Sequence, residues 1–242
     1  MALVTTAVLG MAYATTNTPL TELLEDFISI AFLSVGFSFF IHVILNFWPM
    51  IKAGLPFHRV IYKPPYSRFL LARIAAVFVI FFLFSMKNRF SYFQLRSGLS
   101  NAIGDFYLEE GDFKSAEAYY KTGANYDLNN LRSNLSLASM AEQAGDRLSA
   151  TYFYQQAGAK TPNTVSMIGK SRNLEQQDMF FDAVFVLKEG IREFPDDHRL
   201  YTNLARLQAK AGMTDSVLLS LDRALRLCKN CGPENVNFLA FW

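Results

Sequence analysis

The sequence predicts an all-α protein: an N-terminal transmembrane helical hairpin followed by an α-solenoid of about four helix–turn–helix repeats. Three observations carry this. Two long stretches, 27–48 and 69–86, are apolar and nearly uncharged. Gly-Asp pairs at 111–112 and 145–146 stand one period of 34 residues apart, with matched residues around them. Charge is also unevenly spread: residues 1–96 hold eight Lys/Arg and three Asp/Glu, residues 97–242 hold fifteen and eighteen, and the net charge of +2 hides the division. A single soluble domain would rarely place its apolar residues so unevenly.

Residues 1–26 form an apolar leading segment. Its Ala12-Tyr13-Ala14 is a small-x-small pattern of the kind that precedes signal cleavage, yet no basic residue opens the chain. A signal-like segment, a re-entrant or further membrane helix, and the tail of a longer membrane domain all fit.

Phe27 to Trp48 gives 22 residues without formal charge. At 1.5 Å per residue they reach about 33 Å, enough for a hydrocarbon core of roughly 30 Å. Phe69 to Met86 is similar and carries only Arg73, whose long side chain can reach the interface from near the start of the span. Together 27–96 reads as a transmembrane hairpin with a connecting loop at 49–68. That loop contains Lys52, Arg59, Lys63 and Arg68 and no acid, against Glu22, Glu25 and Asp26 before the first span. The positive-inside rule then puts the loop in the cytoplasm and the rest of the chain across the membrane. Trp48, Tyr62 and Tyr66 suit the interface, and His58 suits a lipid head group. His42 falls mid-span, where an ionisable residue is a functional candidate; a neutral imidazole hydrogen-bonded to the neighbouring helix is the plainer reading.

Residues 97–242 divide into units at about 97–130, 131–163, 164–197 and 198–231, with a partial or capping helix at 232–242. Small residues recur where two helices must cross closely: Gly104, Ala116 and Ala124, then Ala138, Ala150 and Ala157, then Ala183, then Ala205 and Ala224. Ile103, Tyr107, Phe113, Tyr120, Leu137 and Tyr154 fill the gaps. Each Gly-Asp pair supplies a residue able to take positive φ and then an N-cap. Pro162 and Pro195 follow second helices, where a helix should stop. The third unit departs most, with Ser171 at a small-residue position and Gln177-Asp178 in place of Gly-Asp. It still reads as a repeat, because a gap would bare its neighbours' faces.

Period and small/large pattern resemble the tetratricopeptide repeat family, in the form of a membrane-anchored bacterial-type protein. The resemblance implies a scaffold that binds another protein through the first helix of each repeat. In that register the groove offers Asn101, Asp105, Leu108 and Glu109, then Arg132, Leu135, Ser139, Glu142 and Gln143. The third unit adds Ile168, Arg172, Glu175 and Gln176, and the fourth Arg199, Thr202, Arg206 and Lys210. Of the Lys/Asn set with which some relatives clamp a terminal carboxylate, only Asn101 fits. Charge runs from acidic to basic along this face, a gradient able to orient an extended partner. Arg172, Arg199 and Arg206 are the cations expected to meet its carboxylates.

Cys228 and Cys231 form a lone C-x-x-C. A local disulfide, two thiols, or a metal or catalytic role all remain open; zinc would need two further ligands, and the only His in the array is His198. No nucleophile–base pair, phosphate loop or metal cluster emerges, so no enzyme activity and no cofactor are expected, and no nucleic acid. Three functions compete. The first is a membrane-tethered scaffold that recruits a protein. The second is an accessory or C-terminal part of a polytopic membrane enzyme, such as the glycan polymerases and ligases whose layout this resembles. The third is a subunit of a secretion or motility machine, packed against other membrane subunits. The expected setting is a bacterial inner membrane, with the array periplasmic. The apolar opening at Ala2 and the ending Phe238-Leu239-Ala240-Phe241-Trp242 point to a larger context.

Overall fold

The computed structural model describes residues 2–54, 66–86 and 88–228. Eleven helices occupy them: α1 Ala2–Ala14, α2 Thr18–Lys52, α3 Tyr66–Met86, α4 Asn88–Glu109, α5 Phe113–Tyr126, α6 Leu131–Gln143, α7 Arg147–Ala159, α8 Thr164–Glu175, α9 Phe180–Glu193, α10 His198–Lys210 and α11 Thr214–Leu227. Among the described residues there is no strand. The chain divides into two compact units, one of residues 1–13 and 19–96, the other of residues 14–18 and 97–242; the division falls inside α4.

In the first unit, α2 exceeds the expected span, running 35 residues and continuing through Pro49. The most apolar window of its segment Thr18–Pro49 has a mean hydropathy of 2.3 and is 11% buried, and the segment is long and apolar enough to cross a membrane. It is the one such helix among the described residues; in α3, 21 residues long, the described apolar stretch is Arg73–Phe82. Phe32, Leu33, Phe78 and Phe81 are all more than two-thirds exposed. Most of the expected basic loop, including His58, Arg59, Lys63 and Tyr62, lies outside the described residues.

In the second unit the helices come in consecutive pairs, α4/α5, α6/α7, α8/α9 and α10/α11, at the expected spacing. Ala116, Ala138, Ala150, Ala157, Ala183, Ala205 and Ala224 are at most 1% exposed, where helices cross. Gly111, Gly145 and Gly212 take φ of +78°, +78° and +72° in the turns within pairs. Asp112 and Asp146 then cap α5 and α7 by accepting from Ser115 N and Ser149 N. In the third pair Asp178 itself takes φ +61°, and Met179 stands at the N-cap without a side-chain bond. Ser171 fits its crossing because its hydroxyl, 1% exposed, donates to Ala183 O at 3.0 Å. Phe113 is a correction: it is 57% exposed, not a gap-filler. Leu174, Leu187, Leu200, Leu204 and Leu207 form the largest apolar cluster, between the third and fourth pairs.

Candidate partner-binding face

The first helices of the pairs are joined to one another by ion pairs. Asp105 on α4 accepts from Arg132 on α6, at 2.8 Å from Nε and 2.7 Å from an NH2 group. Glu142 on α6 lies 4.0 Å from Arg172 on α8. Glu175 on α8 receives both terminal nitrogens of Arg206 on α10, at 3.0 and 2.5 Å, and Lys210 Nζ at 2.5 Å. These helices therefore run side by side along one face, and each acid is answered from the next unit. Tyrosines of the second helices reinforce the acids. Tyr120 donates to Asp105 at 2.6 Å and Tyr154 to Glu142 at 3.1 Å.

Burial and the Asp105 hydrogen bond push Tyr120 up to about 12. Burial and the Glu142 charge do the same for Tyr154. Both phenols stay protonated donors at any physiological pH. Burial alone would raise Glu175, but hydrogen bonds from Arg206 and Lys210 outweigh it and hold the carboxyl below its usual range. The Arg199 hydrogen bond holds Asp197 low in the same way, against partial burial.

The structure separates the groove residues by what already holds each side chain. Asn101 is fully buried. Its carboxamide donates to Asn17 Oδ1 at 3.0 Å and Asn130 Oδ1 at 3.1 Å, and accepts from Ser133 Oγ and Asn130 Nδ2. It serves the core and not the open face. Asp105, Arg132, Glu142, Glu175, Arg206 and Lys210 are engaged in the ion pairs between units. Arg199 is turned toward its own helix start, on Asp197 and on Thr164 Oγ1 at 2.7 Å. Two of the three arginines expected to meet a partner are thus already committed to carboxylates; the third, Arg172, is half exposed and only loosely paired. Glu109, Ser139, Gln143 and Gln176 are exposed, and Leu108, Leu135 and Thr202 half-buried. Ile168 packs against the leucine cluster.

Between the first two units this face opens into a cavity of about 260 Å³ lined by Leu108, Phe113, Arg132, Leu135, Ser136, Ser139, Met140 and Gln143. Four of the expected groove residues of the second unit and Leu108 of the first converge there. Sequence reasoning missed the buried polar members: Asn17, Asn130, Ser133 and Asn173. Asn130 Nδ2 donates to Ser97 and Ser133 hydroxyls, and Ser97 Oγ donates on to Gly123 O at 2.8 Å. The signal was faint: of the four only Asn130, the N-cap of α6, directly precedes the first helix of a pair. Cys228 ends α11, while Cys231 lies outside the described residues. Among those residues no group of His, Cys, Asp or Glu side chains could hold a metal ion.

The class this defines is a helical-repeat chain with a long apolar helix near its N-terminus. No protein-family model matches the chain, and no curated protein matches it. Among solved structures it is similar to MamA, residues 41 to the end, from Desulfovibrio magneticus RS-1, with 20% identity and a TM-score of 0.47 over 55% of this chain and 75% of that one. At that distance the likeness assigns no role to any residue here. The pairing of helices and the bonds between pairs stand on this chain's own geometry.

Proposed function

We propose that this chain is a membrane-anchored scaffold of tetratricopeptide type, which holds a protein along the face of its first helices and carries out no chemistry itself. The observation that carries the reading is the 260 Å³ cavity on that face. It has apolar walls from Leu108, Leu135 and Met140 and exposed polar groups on Ser139 and Gln143, while the charged side chains around it are tied up in the scaffold. A recognition site of this kind takes an apolar side chain of the partner and hydrogen-bonds its backbone. Arg172, exposed one unit further on, is the cation best placed to meet a carboxylate of the same segment.

The anchor in this reading is α2, with α3 returning through the membrane, the 49–68 loop cytoplasmic and the array in the periplasm. The basic loop supports this orientation. Cysteines introduced near residues 56 and 130 are then labelled from opposite sides; labelling from one side ends the hairpin. On the oxidising side a Cys228–Cys231 disulfide follows, read out as thiol labelling that appears only after reduction.

Photo-crosslinking in whole membranes tests the binding face. Probes at Ser139, Gln143 and Arg172 are expected to capture one protein, and a probe at Phe181, 85% exposed on α9, is not. Capture only from α2 or α3 would make the hairpin the working surface, as in a machine subunit.

A further inference from the structure

The first unit contains a second recess that the scaffold reading leaves unused. Along α2, Ser34, Ser38, His42 and Asn46 recur every four residues, a polar stripe on one face of its long apolar segment. Ser34 is 2% exposed, and its hydroxyl has no hydrogen-bond partner. His42 is 8% exposed and held by Asn46, whose Nδ2 lies 3.2 Å from Nε2 and 2.7 Å from the His42 carbonyl oxygen. Beside this stripe α2 and α3 enclose a cavity of about 640 Å³, lined by Val35, Ser38, Phe39, His42, Arg73 and Val77 among others.

The lining has a direction. It takes 35–42 from α2 and 73–80 from α3, two equal stretches on consecutive helices. The membrane hairpin proposed above makes these two helices antiparallel, and in that register His42 falls near Arg73 and Val35 near Ile80. One end is then basic and polar, and the other is Val35, Phe39, Val77 and Ile80. Among the described residues no acid lines the recess. Its rim is open: Val35, Phe39 and Val77 are all more than half exposed, so a molecule already in the bilayer can enter sideways. Its volume lies in the range of small-molecule sites.

From this geometry we propose that the α2/α3 recess is a binding site for one anionic lipid, whose phosphate lies against Arg73 and His42 and whose acyl chain lies along Val35, Phe39, Val77 and Ile80. A guanidinium on a stem that can snorkel, a fixed imidazole and an apolar trough are the parts such recognition needs. The proposal rests on the reading that α2 lies in a membrane, and the test separates the two. Resistance to carbonate extraction decides the anchoring. Lipid selectivity is then measured on full-length chain extracted from membranes of equal phosphatidylglycerol and phosphatidylcholine content, by native mass spectrometry of the lipid retained. Wild type is expected to retain phosphatidylglycerol over phosphatidylcholine by about fivefold or more, the weight of one basic side chain near a head group. Arg73→Gln is expected to bring the ratio near unity. Val77→Trp, at an exposed rim position, is expected to exclude lipid of either kind. Glycerol phosphate, which has no acyl chain, is expected not to displace the lipid. Equal retention of both lipids, selectivity unchanged in Arg73→Gln, or a lipid-free dimer with the recess closed by a second copy would each overturn the site.

Discussion

At Gly169 on α8, a methyl group would meet the ring of Tyr154 at 2.3 Å. At Gly104 on α4 the same group would meet Tyr120 at 2.8 Å. Both tyrosines are buried and their hydroxyls are tied to carboxylates, so neither ring can swing away without breaking a bond to an acid. Alanine in place of a mid-helix glycine ordinarily gains about 1 kcal/mol of helix propensity. Here overpacking reverses the sign, and Gly169→Ala is expected to destabilise by about 1–3 kcal/mol, read as a lower melting temperature. A rise would show that the ring does not lie against this helix. Glu175 gives a pH-dependent counterpart. Its folded pKa is depressed, so its contribution is present above the ordinary glutamate value of about 4.3 and is lost as pH falls through the lower folded value. Glu175→Gln is expected to cost about 1–3 kcal/mol at pH 7. The gap in melting temperature between it and wild type should start to narrow as pH falls past about 4.3 and close only below the depressed folded value; a gap that does not narrow in acid would mean the carboxylate's charge is not what Arg206 and Lys210 require.

At the scale of helices, the ion pairs between units change what an arginine substitution means. Arg206→Glu sets a carboxylate beside Glu175, which is only 8% exposed. It is expected to loosen the third unit from the fourth as well as to alter the surface. Arg172→Glu, 50% exposed and 4.0 Å from Glu142, should weaken partner capture while shifting the melting temperature little. Circular dichroism melts beside crosslinking yields separate the two; equal loss of stability in both would mean Arg172 is structural as well. Helix pairs were legible in the sequence because their cause is local. Small residues at Ala116, Ala150 and Ala183 and the glycines at 111 and 145 answer constraints within one turn or one crossing. The partners of the charged residues were not legible, because each acid is met about 30 residues later by a side chain that sequence alone reads as solvated. For the same reason Asn101 read as a groove residue: its bonds run to Asn17 and Asn130, 84 and 29 positions away. The long apolar α2 was plain from composition.

On the scale of the whole chain, the array does not consist of residues after 97 alone. Asn17, 2% exposed, donates to Gly98 O at 2.9 Å and accepts from Asn101. The turn at 14–18 belongs to the repeat unit. A fragment of residues 97–242 is expected to be strongly helical, but with amides of α4 and α5 that exchange faster with solvent than in the full chain. Asn17→Ala in the full chain is expected to reproduce that change, since it leaves a buried carboxamide one bond short; protection equal to wild type in both would show that the first pair is complete without the turn.

The bond from Asn101 to Asn17 also closes a loop of 84 residues. Closing a flexible loop of that length costs about 4 kcal/mol of chain entropy, less if the enclosed helices have formed first. On a ribosome moving at roughly 5–20 residues per second, some 4–17 seconds separate the two asparagines. The first repeat therefore cannot finish until everything between them has been made. A nascent chain stalled before residue 101 carries an apolar helix and an unanswered asparagine, and only the arrival of α4 seals it. The network that holds the first repeat together works as a clock on assembly: the repeat array becomes complete after the long apolar helix has been synthesised, never before.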